Sequence, residues 1–487
     1  MKNEDSLKQN MVSGVKWTAV SQVARQILQF VFLAILARLL SLEDFGVIAI
    51  AIIFLEFGMM LRDLGFGSAI IQKKDIHQEH LSTTFSVCVI AGTVMFIILN
   101  MTAPLIAGFF SRENLRFIIP VLALRFVLYS LSVVHESMLI KQMQFKKLAI
   151  IEIGETITYG TIAITLALNG WGIWALVCGY LISGFVRFIL SWSVYRWDIE
   201  LSVNIKALKE IIGFAGNMVG FKVVNYTNAN FDRFLIGRFL PSASLGLYSM
   251  AYNLAVFPSQ QTATMISRIG FAAFSKIQDE RERIKEGYLK MVGYVSTVTF
   301  PLLFGLFVLA RYFVLTVYSS KWLEMVIPLR ILCIAGVMLS MTAFGGIIIL
   351  AVGRADKLLK LSSIGLVLKA GLLLYGVQYG LSGVALMIVV YAVAINLLMQ
   401  MMIRELVNLK MRKYFYALLP AFISSWAMAG GLWGIVSVYP DKMFLHTIPG
   451  IISLVGMGVI IYLGVGFMIN RKILKELLHM LKGAFIK

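Results

Sequence analysis

An all-α integral membrane protein is the fold class this sequence predicts, and three observations carry the prediction. Of 487 residues, 59% are hydrophobic and only 14% are charged, where an ordinary soluble domain carries about 25% charge. The apolar residues gather in long runs bounded by charge, glycine or proline, each long enough to cross a bilayer as a helix. Fourteen such runs fill the chain and leave connections too short for a soluble domain.

The first run, about 14 to 39, follows a polar N-terminus and keeps Arg25 with no small-residue cleavage signal after it, so it reads as a retained span. The second, 43 to 61, opens at Phe45-Gly46. Runs 82 to 110 and 115 to 138 are parted by Arg112 and Arg116, and runs 148 to 168 and 171 to 194 by Gly170. Arg238 and Pro241 separate 211 to 237 from 243 to 273, and Lys321 separates 288 to 318 from 322 to 352. Gly380 divides 358 to 378 from 382 to 404, and Pro440 with Lys442 divides 414 to 439 from 446 to 469.

Fourteen alternating spans put both termini on one side. Of the 44 Lys and Arg residues, 30 fall on the terminal side and 7 on the other, so the positive-inside rule places both termini in the cytoplasm. The remaining 7 lie within spans. In the tail from Arg471 to Lys487, Leu474, Leu477, Leu478 and Leu481 recur at helical spacing beside Lys472, Lys475 and Lys482, as in a basic amphipathic helix resting on the inner leaflet. The net charge of +19 calls for anionic partners, membrane lipid or an anionic cargo. Spread over many short loops, it does not form the basic face that nucleic acid requires.

Laid on itself at an offset of 200 residues, the chain pairs Arg38 with Arg238, Leu40 with Leu240, Gly46 with Gly246, Ala51 with Ala251 and Phe57 with Phe257. Six spans separate the copies, and an even number keeps their orientation. Two six-helix lobes follow, 1–200 and 201–410, related by an axis along the membrane normal, with spans 13 and 14 and the tail in 411–487.

Polar groups cost several kcal/mol in hydrocarbon unless a partner or water meets them. In span 1, Thr18, Gln22, Arg25 and Gln29 fall within ~60° on a helix, and in span 7 Lys222, Asn225, Asn228, Asp232 and Arg233 fall within ~140°. Such stripes either bond neighbouring helices or line a wet cavity. Arg25, Arg125, Arg187, Lys222, Arg233, Arg330 and Lys369 outnumber Glu56, Glu152, Glu155 and Asp232, so a cavity lined by them would suit a phosphate or carboxylate. Arg187 and Lys369, as single cations near helix ends, are expected to reach to the interface. Glu152 and Glu155, with Glu56, are candidates for binding a coupling cation; a local pair to Lys146 or Lys147 is the alternative for the first two. Pro258 kinks span 8, and Ser259, Gln260, Gln261, Thr262 and Thr264 beside it would read sugar hydroxyls or satisfy freed carbonyls. Gly58 holds the equivalent place in the first copy, so both are expected to hinge there.

No P-loop, dinucleotide fingerprint, HExxH or paired CxxC occurs. Neither enzyme chemistry nor a cofactor is expected. Cys88, Cys178 and Cys333 each sit in an apolar run and read as packing residues. His77 and His80 flank Glu79 in a charged loop and read as solvated, without a metal.

Ser13-Gly14-Val15-Lys16-Trp17, Phe45-Gly46 and the loop Asp63-Leu64-Gly65-Phe66-Gly67-Ser68-Ala69-Ile70-Ile71-Gln72-Lys73-Lys74 resemble the Wzx-type polysaccharide flippases, most of all the colanic acid exporter branch. Asp232-Arg233-Phe234-Leu235-Ile236-Gly237-Arg238, Leu245-Gly246-Leu247-Tyr248, Ala251-Tyr252-Asn253-Leu254 and Phe274-Ser275-Lys276-Ile277-Gln278-Asp279 agree. The resemblance spans about residues 12 to 410. It implies the superfamily of multidrug extruders and the lipid II flippase, with a V-shaped pair of lobes around a cavity lined by spans 1, 2, 7 and 8. It further implies transfer of undecaprenyl-diphosphate-linked oligosaccharide to the outer face of a bacterial inner membrane, with polysaccharide polymerase and export machinery as partners. The cationic lining would be Arg25, Arg125, Lys222, Arg233 and, near the cytoplasmic mouth, Arg268. A cation-coupled drug extruder of the same fold is the alternative, against which the basic stripe stands. A membrane polymerase or glycosyltransferase would need larger loops than this chain has.

Overall fold

The computed structural model describes residues 2–63, 66–73, 75–197, 204–277, 280–342, 344–438, 447–469, 471 and 473–476, with side chains except at 2–13, 15, 63, 68, 205–221, 263–273 and 275–276. The Arg268 side chain, that of Thr264 and most of the amphipathic tail lie outside the described residues, as do Leu64, Gly65 and Lys74 of the quoted loop. Among the described residues every regular element is helical. Eleven helical segments among the described residues are long and apolar enough to cross a membrane.

One compact unit holds Met1–Tyr226 with Pro241–Gly246, and the other holds Thr227–Leu240 with Leu247–Lys487. The first contains α1 (Lys2–Leu39), α2 (Leu42–Asp63), α3 (Phe66–Gln72), α4 (Gln78–Phe110), α5 (Leu115–Lys141), α6 (Phe145–Leu168) and α7 (Ile173–Val194), followed by α8 (Ile205–Phe239) and α9 (Ser242–Lys276), which run on into the second. The second continues with α10 (Arg281–Phe313), α11 (Val326–Thr342), α12 (Gly345–Ala351), α13 (Ala355–Gly376), α14 (Gly380–Val407), α15 (Met411–Val438) and α16 (Ile448–Ile469). Each apolar run is helical over most of its length. The short helices α3 and α12 are additions: the first falls between runs, and the second ends a run that breaks after α11.

Local chemistry sets the ends. Ser41 and Asp44 exchange hydrogen bonds ahead of α2: the Ser41 hydroxyl and amide donate to the Asp44 carboxylate at 2.7 and 3.0 Å, and the Asp44 amide donates to the Ser41 hydroxyl at 3.1 Å. This reciprocal cap satisfies donors that the first helical turn leaves open. Between α6 and α7, Gly170 and Gly172 adopt φ of 78° and 52°, a left-handed turn that favours glycine.

In the first unit α4 lies along α5, and α6 lies along both α7 and α1. In the second, α10 packs on α15 and α11, α14 on α11 and α13, and α15 on α16. Close approaches depend on glycine. A β-carbon on Gly46 would lie 1.8 Å from the Ser242 carbonyl oxygen, and one on Gly246 would lie 2.4 Å from that of Leu42. The two glycines matched by the 200-residue offset therefore occupy one seam within the first unit. At Gly58 α2 is helical throughout, as α9 is at Pro258, and a β-carbon there would lie 2.6 Å from the Phe126 ring of α5. Its missing side chain is used for packing.

Candidate functional site

In the first unit, α5, α6 and α7 bring four charged side chains and a tyrosine together. Arg187 holds Glu136 with two parallel bonds, Nε to Oε1 at 2.7 Å and Nη2 to Oε2 at 2.6 Å, and reaches Glu155 Oε2 through Nη1 at 2.6 Å. Arg125 donates from Nη2 to Glu155 Oε1 at 2.7 Å. Between them the Tyr129 hydroxyl donates to the same Glu155 oxygen, and both guanidinium carbons lie 5.0 Å from the Tyr129 ring centre. Two arginines face two glutamates, and a third guanidinium, that of the buried Arg62, lies 5.8 Å from the same ring centre. Two-pronged pairing of this kind is the geometry for which Arg suits carboxylates.

A second pair lies on neighbouring helices. Arg25 Nε of α1 approaches Glu152 Oε2 of α6 to 3.6 Å. These contacts correct three expectations. Glu152 and Glu155 pair with Arg25, Arg125 and Arg187, not with Lys146 or Lys147; Lys146 instead lies over the Trp17 ring at 5.5 Å, and Lys147 donates to the Val194 carbonyl. Arg187 does not reach out to the interface, because the two carboxylates make the interior the better place for its charge. Nor does the described interior of the first unit lean cationic at these three arginines. Each meets a carboxylate.

The remaining candidates of this unit are Gln22 and Asn225, half-buried, and Gln29 and Glu56, exposed. Lys222 is half-buried and makes no hydrogen bond or ion pair among the described residues.

In the second unit the center is Asp232. Its side chain is 0% exposed and that of Lys369 is 4% exposed, and they pair at 3.2 Å. The Tyr248 hydroxyl donates to the other Asp232 oxygen. Lys369 also donates to the Asn228 carbonyl at 2.6 Å and lies 5.7 Å from the Tyr391 ring centre. Asn228 and Tyr391 are joined at 3.2 Å. The expectation that Lys369 reaches to the interface is thus corrected: Asp232 and a helix carbonyl hold it inside, where an unpaired ammonium would be costly. Arg233, one residue on, turns elsewhere. It donates to Asn253 Oδ1 at 2.8 Å, lies 5.5 Å from the Tyr252 ring centre and has no carboxylate partner among the described residues. Arg330 donates to the Phe307 carbonyl at 3.1 Å.

On α9, Ser259 donates to the Gly336 carbonyl at 3.1 Å and Thr262 to the Pro258 carbonyl at 2.7 Å. Those hydroxyls serve the backbone. Gln260 is exposed and Gln261 half-buried.

Sequence reasoning missed Glu136 and Tyr129. The available signal is depth: Glu136 lies five residues before the end of α5 at Lys141, and Arg187 lies seven before the end of α7 at Val194. Matched cation and anion at like depth on helices of like direction point to a pair.

Long apolar helices that turn polar and ion-paired side chains toward one another define a multi-span helical membrane protein. The inward closed structure of the lipid II flippase MurJ superposes with a TM-score of 0.75 at 16% identity, covering 94% of this chain and 100% of that one, which establishes a shared fold. A family model described as polysaccharide biosynthesis protein matches residues 35–327. The chain is 31% identical over 428 residues to the teichuronic acid biosynthesis protein TuaB of Bacillus subtilis, covering 87% of this chain and 88% of TuaB. It is 27% identical over 437 residues to the lipopolysaccharide biosynthesis protein WzxC of Escherichia coli K12, with the same coverage of each. The chain belongs to the polysaccharide biosynthesis protein family.

Proposed function

We propose that this protein is a flippase that carries undecaprenyl-diphosphate-linked oligosaccharide units from the cytoplasmic to the outer face of a bacterial inner membrane, for assembly of a surface polysaccharide. Fourteen spans in two six-helix lobes with two additional C-terminal helices, alternating access between the lobes and cytoplasmic termini complete the reading. No bond is made or broken. The polymerase and export machinery would receive the product. Family membership and the MurJ-like fold support this reading.

One observation carries the choice of an anionic headgroup. Lys222 and Arg233 are both half-buried on α8, and neither meets a carboxylate among the described residues. A diphosphate is suited to uncompensated cations of this kind, and the candidate polar groups Asn225, Gln22 and Gln261 offer hydrogen bonds of the kind sugar hydroxyls take. Arg25 and Arg125 contribute only if the cargo competes for them against Glu152 and Glu155. Arg268 remains a candidate on sequence alone.

Keeping the lipid tail in the bilayer while the headgroup crosses a wet passage avoids burying a diphosphate in hydrocarbon. Cells carrying Lys222→Ala or Arg233→Ala at normal protein abundance should accumulate lipid-linked sugar on the cytoplasmic leaflet and lose surface polymer. Normal polymer in both variants would defeat the proposal.

A further inference from the structure

A cleft of about 450 Å³ lies in the second unit, away from Asp232 and Lys369, where the ends of three membrane helices meet. Arg281 opens α10, Arg354 and Lys357 stand at the start of α13, and Glu405 to Val407 close α14; Ile284 and Val352 complete the lining. Three cations face one carboxylate there. Glu405 accepts from Lys357 at 3.0 Å, and Arg354 is held by Asp356, outside the lining, through Nε and Nη2 at 3.0 Å each. Arg281 makes no hydrogen bond or ion pair among the described residues. The cleft thus has a positive balance and one uncommitted guanidinium from its side chains, while the beginnings of α10 and α13 are offset by the ends of α12 and α14.

The surroundings are apolar and exposed. On the face of α14 that bears Glu405, Met401 and Leu397 follow one and two turns deeper into the span, both exposed. On α13 the exposed Ile364 lies two turns beyond Lys357, on the same side. A water-filled site for a soluble phosphate has no use for such a margin, whereas acyl chains do.

We propose that this cleft binds the phosphate of an anionic phospholipid, with its acyl chains lying along Met401, Leu397 and Ile364. Basic pockets between membrane helices hold lipid headgroups by this chemistry. Its lining shares no residue with the proposed cargo contacts, and the proposal does not depend on the flippase reading.

Native mass spectrometry of the full-length protein, released from a neutral detergent with phosphatidylglycerol or phosphatidylcholine of matched chains, tests it. One phosphatidylglycerol should bind about 25-fold more tightly than phosphatidylcholine, the preference two basic residues supply at about fivefold each. Arg281→Gln should weaken it by about fivefold, and Arg281→Gln with Lys357→Gln by about 25-fold. Glu405→Gln should tighten it, a gain that misfolding does not imitate. Arg412→Gln, on an exposed arginine outside the cleft, should leave it unchanged. Equal binding of the two lipids, or equal weakening by Arg412→Gln and Arg281→Gln, would overturn the proposal. Displacement of the lipid by an equimolar amount of inorganic phosphate would reassign the cleft to a soluble ligand.

Discussion

Replacing Lys369 by Met leaves the Asp232 carboxylate in a site with 0% exposure, where among the described residues the Tyr248 hydroxyl remains its hydrogen-bond donor. At 3.2 Å the lost attraction amounts to about 5 kcal/mol for an effective dielectric of ~20. Desolvation of both ions offsets much of what the pair contributes when intact, but removing one partner exposes the penalty of the other, about 3–5 kcal/mol. Lys369→Met should therefore destabilise the protein by that amount, and Asp232→Asn by a similar amount, because the ammonium would retain only the Asn228 carbonyl and the Tyr391 ring. The double variant Asp232→Asn/Lys369→Met removes both charges and should lie within about 2 kcal/mol of the unmodified protein, since uncharged residues of similar volume often replace a buried pair at little cost. Thermal and denaturant unfolding of the four proteins in one detergent closes the cycle. Single variants within about 1 kcal/mol of the parent, or a double variant as unstable as the sum of the singles, would refute the reasoning.

Other expectations follow from the same contacts. Glu136→Gln should cost about 2–4 kcal/mol by unfolding measurements, because Arg187 loses its two-pronged partner inside the span. Exchanging Arg25 and Glu152 should restore export if Arg25 serves mainly as a partner to Glu152; if export stays lost while the fold is intact, Arg25 meets the cargo directly. Gly46→Ala should destabilise by about 3 kcal/mol or more, since its methyl group would coincide with the Ser242 carbonyl oxygen and backbone must move; a melting temperature equal to that of the parent counts against the seam. A diphosphate diester carries about two negative charges, each favoured outward by about 2.3 kcal/mol per 100 mV, inside negative. Collapsing the potential of reconstituted vesicles should slow transfer, and unchanged turnover would exclude that source of drive.

The helical, membrane-spanning class was legible because run length and charge spacing are local properties. The same holds for Gly46 and Gly246, whose match rests on register alone. The partners of the interior charges were not legible in the same way. Glu155 answers to Arg125 and Arg187, which are 30 and 32 residues away, and Asp232 answers to Lys369, 137 residues away. Counting charges by span shows a surplus of cations. Only geometry shows that Glu136, five residues from the end of its helix, belongs to the interior and cancels one of them. Lys369 looked peripheral for a related reason: its depth in α13 is set by the Asn228 carbonyl and by Asp232, both on another helix.

The seam at residues 42–46 and 242–246 also constrains how the two halves of the gene can be recombined. Each half supplies the carbonyl that fills the space a methyl group would need in the other, so a hybrid assembled from two relatives should inherit both segments from one parent. A single crossover before residue 42 or after residue 246 is free of this demand, and a library with joins placed along the whole chain would show the two segments inherited together.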